Sequence, residues 1–104
     1  MNGYSGEKVI ILNTIDNVGI IKKDIKKGEK ISIDTDNLTK AIIARENIPY
    51  RFKIALCNIK AGEKIIKSGE VIGQAKQAIK TGDMVHVHNI EGLRGRGDLQ
   101  SKNS

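Results

Sequence analysis

The sequence predicts a small all-β domain, a barrel or clip of short strands, and three observations carry that prediction. Eighteen of the 104 residues are isoleucine, and β-branched side chains suit pleated, half-buried strands better than helices. Eleven glycines recur along the chain, a spacing unfavourable to helices. The third observation is an internal echo. "IKKGEKI" (25–31), "IKAGEKI" (59–65) and "IKTGDMV" (79–85) share the pattern Ile-Lys-x-Gly-acid-x-apolar. Gly28, Gly62 and Gly82 can take φ > 0 and turn the chain, and an acid follows each before the next apolar run. The echoes start 34 and then 20 residues apart, which excludes a fixed-period solenoid. One turn reused between short strands is a β signature.

The elements follow in order. "KVIILNT" and "VGIIKKDI" are β-branched runs separated by "IDN", with Asp16 and Asn17 suited to a turn. "KISI", "AIIA", "KIALCNI", "KIIKSGEVIG" and "MVHVHNI" read as further strands. "DTDNLTKAI" is the one place a helical turn is expected to start, capped by Thr35 or Asp36. Pro49, after "ENI", marks an edge or corner. From residue 92 the apolar content falls away in "GLRGRGDLQSKNS". The expected organisation is an N-terminal extension over 1–8, one β domain over 9–91 and a flexible tail over 92–104. Read as a strand, "MVHVHNI" points His86 and His88 together, while Val85, Val87 and Ile90 can feed the core.

Composition removes several function classes. A chain of this length forms one modest core and no deep interlobe cleft. No apolar run approaches the ~20 residues of a membrane span, and the N-terminus lacks a secretory leader's pattern; the expected location is the cytoplasm. Cys57 is the only cysteine, so no intrachain disulfide or zinc knuckle can form. The net charge of +6 comes from 14 lysines and four arginines against 12 acids. These lysines are interleaved with acids, as in "KKDIKKGEK", and only three residues are aromatic. A mixed-charge surface that does not bind nucleic acid is the expectation.

Several motifs, taken in order and spacing, carry a family resemblance. They are "DNVGII", Ile48-Pro49, Lys53-Ile54-Ala55-Leu56, Gly69 with Ile72-Gly73, and His86-Val87-His88-Asn89 followed by "LRGRGD" at 93–98. From about Val9 to Asp98 the chain resembles the SAF domain of the altronate/galactarate dehydratase family. The small subunit of sulfolactate sulfo-lyase is similar. The resemblance implies a β-clip fold and a domain that is either N-terminal in a long enzyme or a separate small subunit. It also implies a partner, a large catalytic dehydratase subunit. One departure stands out: between Pro49 and Lys53 the family usually reads small residue, Gly, His, whereas this chain has Tyr50, Arg51 and Phe52. That puts activity of the isolated chain in doubt and makes Arg51 a possible anion contact.

By spacing alone the two histidines are either a wet strand face or part of a metal site, since a His-x-His pair needs a third ligand from elsewhere. The resemblance favours the site. It implies a hydro-lyase that removes a proton alpha to a carboxylate and expels a β-hydroxyl, steps that need groups able to exchange protons near neutral pH. On that reading His86, His88 and Lys53 are the catalytic candidates, and His86 and His88 are also ligands for Fe(II) or another divalent metal shared with the partner. Asp16, Asn17, Arg51, Asn89, Arg94 and Arg96 are the candidate contacts to a sugar-acid substrate, the arginines offering bidentate forks to its carboxylate. Two alternatives stay open: a stand-alone module that binds acidic sugars, and the small subunit of a sulfolactate sulfo-lyase. A homo-oligomer of the isolated chain is compatible with each.

Overall fold

The computed structural model describes residues 4–34 and 39–92. Every element among them is a strand, as expected, and every pairing is antiparallel. In chain order they are β1 (Tyr4–Ser5), β2 (Val9–Ile11), β3 (Val18–Ile21), β4 (Lys30–Asp34), β5 (Thr39–Ile43), β6 (Lys53–Ala55), β7 (Lys64–Lys67), β8 (Glu70–Ala75), β9 (Met84–Val85) and β10 (Ile90–Glu91). A seven-stranded sheet runs β5-β4-β1-β2-β3-β6-β9, and a three-stranded sheet runs β10-β8-β7. No helix of the described residues is long and apolar enough to cross a membrane.

Two expectations are corrected by this topology. Residues 4–5, placed in an N-terminal extension, form β1 and fill the slot between β2 and β4, so the domain reaches back to Tyr4. The helical start in "DTDNLTKAI" gives way at residues 39–43 to β5, which pairs with β4 along its whole length from Asp34↔Thr39 to Lys30↔Ile43. Here cross-strand pairing overrides a local capping signal. Residues 35–38 and the expected tail from 93 onward lie outside the described residues.

The three echoed turns are built alike. Gly28, Gly62 and Gly82 have φ of +87°, +86° and +95°. In each turn the acid closes the loop, as Glu29, Glu63 and Asp83 accept a side-chain hydrogen bond from the N–H of Lys26, Lys60 and Lys80. Each glycine N–H donates to an alanine carbonyl, of Ala44, Ala75 and Ala55 respectively, and each alanine N–H donates back to the carbonyl of the acid. The alanines open a second echo that sequence reading overlooked, "ARENI", "ALCNI" and "AKQAI". Its terminal isoleucines are all buried and bridge to the isoleucines that start the turns, Ile25 with Ile48 and Ile59 with Ile79.

Isoleucine fills most of one core and supplies three of the seven buried residues of a second. One lies under β2, β3, β4 and β6 and includes Ile11, Ile21, Ile31, Ile33 and Ile54. The other gathers Val18, Ala55, Ile65 and Val85 with Ile59 and Ile79 of the turns. Strand alternation sends Val9, Ile11, Ile21 and Ile54 into the first core. On the opposite face Val18, Ala55 and Val85 meet the second, while Ile10, Ile20 and Lys53, further along that face, are left partly open. That uncovered stretch is where the site forms.

Candidate functional site

Ile10 and Ile20 are cross-strand partners, and Ile20 is in turn opposite Lys53. The two isoleucines floor a surface cavity of about 530 Å³ that the Ile21 backbone borders and whose other walls are Lys22, Tyr50, Arg51 and Lys67. Small-molecule sites commonly span about 300–1,000 Å³, so the volume is adequate for a small acid. Lys22 follows β3 directly, and Lys67 ends β7 of the smaller sheet.

Tyr50 and Arg51 occupy the turn that Pro49 opens. Phe52 N–H donates to the Pro49 carbonyl, and Tyr50 N–H donates to the Asp24 carboxylate. The flanking bonds Arg51 N–H to Ile21 O and Ile21 N–H to Phe52 O, both 2.9 Å, hold the turn against β3. Arg51 has φ of +77°, a left-handed conformation that costs an L residue about 1–2 kcal/mol. The glycine that the family resemblance expects at this position is therefore explained by backbone geometry, and this chain puts an arginine there instead. Its guanidinium lies 5.1 Å from the centroid of the Tyr50 ring, an arrangement worth about 0.5–1 kcal/mol at an exposed site.

Lys53 is half-buried beside this cavity. Burial first, and the like charge of Lys67 second, hold its ammonium below the ordinary lysine range. Both effects disfavour the charged form, which is the direction that turns a lysine into a proton acceptor. Lys53 is also the cross-strand partner of Val85, at the end of β9, so the strand carrying it adjoins the one that leads to the histidines.

The histidines are not arranged as the alternation predicted. The strand ends at Val85, and residues 86–89 form a turn in which Asn89 N–H and Ile90 N–H both donate to the His86 carbonyl. Asn89 imposes it: Oδ1 accepts from His86 N–H at 2.9 Å and Nδ2 donates to the Met84 carbonyl at 2.8 Å. Hence Val87, expected in the core, is 69% exposed, and His86 and His88 do not share a pleated strand face. His86 is half-buried against Phe52, with ring centroids 4.7 Å apart and tilted by 52°, whereas His88 is exposed. Among the described residues no group of three or more His, Cys, Asp or Glu converges to hold a metal.

The remaining site candidates are placed as follows. Asn89 is buried, and the turn engages both polar ends of its side chain. Asp16 accepts hydrogen bonds from Ser68 N–H and Gly69 N–H, the tip of the β7–β8 hairpin, where both residues have positive φ. Asn17 accepts from Ile66 N–H and donates to the Lys64 carbonyl. Both side chains thus clamp the small sheet to the large one, and the clamp is what brings Lys67 over the cavity. Asp16→Ala is expected to lower the free energy of unfolding by about 1–2 kcal/mol, without any ligand present. Urea titrations of both proteins check this; an unchanged midpoint would contradict the clamp. Arg94 and Arg96 lie outside the described residues.

Lys22, Tyr50 and Lys67 were not singled out from sequence. Lys22 and Lys67 are two of 14 lysines, and nothing local marks them and Tyr50 as neighbours. Arg51 is the third residue of the turn that runs from Pro49 to Phe52, a position where a positive φ favours glycine.

Fold and site together define a small antiparallel β domain that presents a basic cavity and a histidine-bearing turn. Residues 7–93 match the family described as the altronate/galactarate dehydratase SAF domain, and the chain belongs to that family. It is 39% identical over 76 residues to an altronate dehydratase of Bacillus subtilis and 34% identical over 80 residues to one of Escherichia coli. The first match covers 73% of this chain and 14% of that enzyme, the second 77% and 15%, so the chain spans about one seventh of these relatives. It is also 36% identical over 62 residues to the (2R)-sulfolactate sulfo-lyase subunit alpha of Paracoccus pantotrophus, covering 60% of this chain and 92% of that subunit.

Proposed function

We propose that this domain is the SAF part of a lyase acting on a hydroxy acid in the cytoplasm, and that it completes an active site carried mainly by a larger catalytic chain. The observation that carries the reading is Lys53, with its ammonium destabilised by burial, beside a cavity rimmed by Arg51 and Lys67. A hydro-lyase must bind a carboxylate, remove the proton alpha to it and let a β-hydroxyl depart. Arg51 is suited to the carboxylate, and Lys53, or His86 when no metal holds it, to the proton transfers. Arg94 and Arg96 would add carboxylate contacts from the chain beyond residue 92. Asp16, Asn17 and Asn89 support the site by positioning the hairpin and the turn.

His86 and His88 would be this chain's ligands to Fe(II) or another divalent metal. Imidazole suits such ions, and two donors from one turn leave the other ligands to the larger chain. When bound, the metal supplies a Lewis acid for the charge that develops on the substrate.

The near-complete coverage of the sulfo-lyase subunit alpha of Paracoccus pantotrophus, 92%, favours a second reading. In that case the domain is the small subunit of a sulfo-lyase and the group expelled is a sulfo group in place of hydroxide.

Co-expression with a large dehydratase-like chain, followed by assay with Fe(II), tests both readings. The expected results are a stable complex and turnover of altronate, galactarate or sulfolactate, with little turnover by either chain alone. His86→Ala is expected to reduce kcat by at least tenfold, within the range that general acid–base groups contribute. Absence of both complex and turnover would refute the lyase assignment.

A further inference from the structure

The cavity beside Lys53 has a charge pattern that selects among acids. Lys22, Arg51 and Lys67 line it and Lys53 adjoins it, giving four basic side chains around an apolar floor of Ile10 and Ile20. The ion pairs formed among the described residues engage Lys8 and Arg45 instead. Lys22 makes one long hydrogen bond, 3.3 Å, to the Gly6 carbonyl. Glu70 stands opposite Lys67 across the hairpin, yet the two form no ion pair. A cluster of like charges that form no ion pair destabilises itself, and here it is close enough for Lys67 to disfavour the charged form of Lys53.

The backbone adds an independent sign. Arg51 keeps φ at +77°, a conformation open to glycine at no steric cost, and strain of this kind persists where the surrounding structure enforces it, commonly at ligand sites. The turn bonds to Ile21 and Asp24 enforce it here, and the result is a guanidinium at the rim.

We propose that this cavity binds a small dianionic acid, with two carboxylates or a carboxylate and a sulfonate a few carbons apart, in preference to a monoanionic sugar acid. One anionic group is met by the Arg51 fork with Lys22, and the other by Lys67, with Lys53 beside it. The short carbon chain between them lies on the isoleucine floor. A single carboxylate would neutralise one end and leave like charges facing each other at the second. The choice of a metabolic acid as ligand rests on the lyase reading; the preference for two charges rests on the cavity alone.

The purified full chain is titrated calorimetrically with galactarate, (2R)-sulfolactate and altronate at matched ionic strength. At least one dianion is expected to bind tenfold or more tightly than altronate. Lys67→Gln is expected to weaken dianion binding at least fivefold and to narrow the gap to altronate. Arg51→Gly is expected to weaken it at least tenfold while the thermal midpoint holds or rises, a combination that a purely structural arginine would not produce. Equal affinity for all three acids, no binding of any of them, or dianion binding unaffected by Arg51→Gly would overturn the assignment. Dianion binding by the isolated chain with no turnover beside any large chain would refute the lyase reading and leave the cavity assignment standing. Turnover without dianion preference would do the reverse.

Discussion

Gly82→Ala is expected to remove about 3 kcal/mol or more of folding stability, whereas Gly28→Ala and Gly62→Ala cost about 1–2 kcal/mol each. The three glycines share one turn and nearly one φ, so the conformational cost of adding a Cβ is common to all. Only the surroundings differ. At Gly28 and Gly62 the added carbon meets nothing within 4 Å. At Gly82 it would collide with the backbone carbonyl oxygen of Ile43 and press on the Arg45 side chain. The collision partner is main chain in β5, so relief requires moving a strand. The Gly82 carbonyl also accepts from Arg45 N–H at 2.9 Å, and the same junction carries the Arg45–Asp83 ion pair at 2.7 Å. Displacing β5 therefore loosens the contact between the third turn and the first half of the chain. Guanidinium denaturation of the three variants should give one large shift and two small ones at a constant m-value. Three equal shifts would show that the Ile43 contact is absent in solution. Against a total stability of about 5–15 kcal/mol for a domain of this kind, the Gly82 variant stands near the limit of folding.

Asn89→Ala is the second substitution with a large expected effect, about 2–4 kcal/mol, because it strands two backbone groups at once. Asn89 is only 3% exposed, so water does not readily replace the bonds to His86 N–H and the Met84 carbonyl. A family pattern that places Asn89 beside two histidines invites assignment to the substrate, and a substrate contact would be dispensable to the empty fold. The structure gives the opposite expectation: the variant loses stability with no ligand present. The released turn should also change the ring environment of His86 against Phe52, visible as a shift of the His86 ring protons in NMR spectra. A variant with wild-type stability and unshifted His86 resonances would return Asn89 to the substrate.

Lys53 illustrates why the cavity and the chemistry are coupled. Its ammonium is destabilised by burial first and by Lys67 second. Burial comes from the β3–β6–β9 ladder, and Lys67 comes from the small sheet that Asp16 and Asn17 clamp in place. The side chains of residues 16 and 17, expected at the substrate, thus fix the position of Lys67, a lysine that sequence reading did not weigh.

What the sequence determined by itself is what contiguous residues encode. The all-β class follows from β-branched residues, and the three turns from Ile-Lys-x-Gly-acid, because a turn closes over four or five residues and its acid side chain caps its own loop. The family was legible for a related reason: its motifs are short and ordered along the chain. The tertiary structure alone decided which residues meet. The Asp16 and Asn17 side chains pair with backbone 47 to 53 residues away, and the cavity unites residues 10, 20–22, 50–51 and 67. No local preference distinguishes Lys22 or Lys67 from the other exposed lysines; sheet register and hairpin placement do. The "MVHVHNI" segment shows where the two levels conflict. Alternation predicted a strand through both histidines, but the Asn89 amide forms two hydrogen bonds that fold the chain after Val85, and long-range order in the sheet ends there.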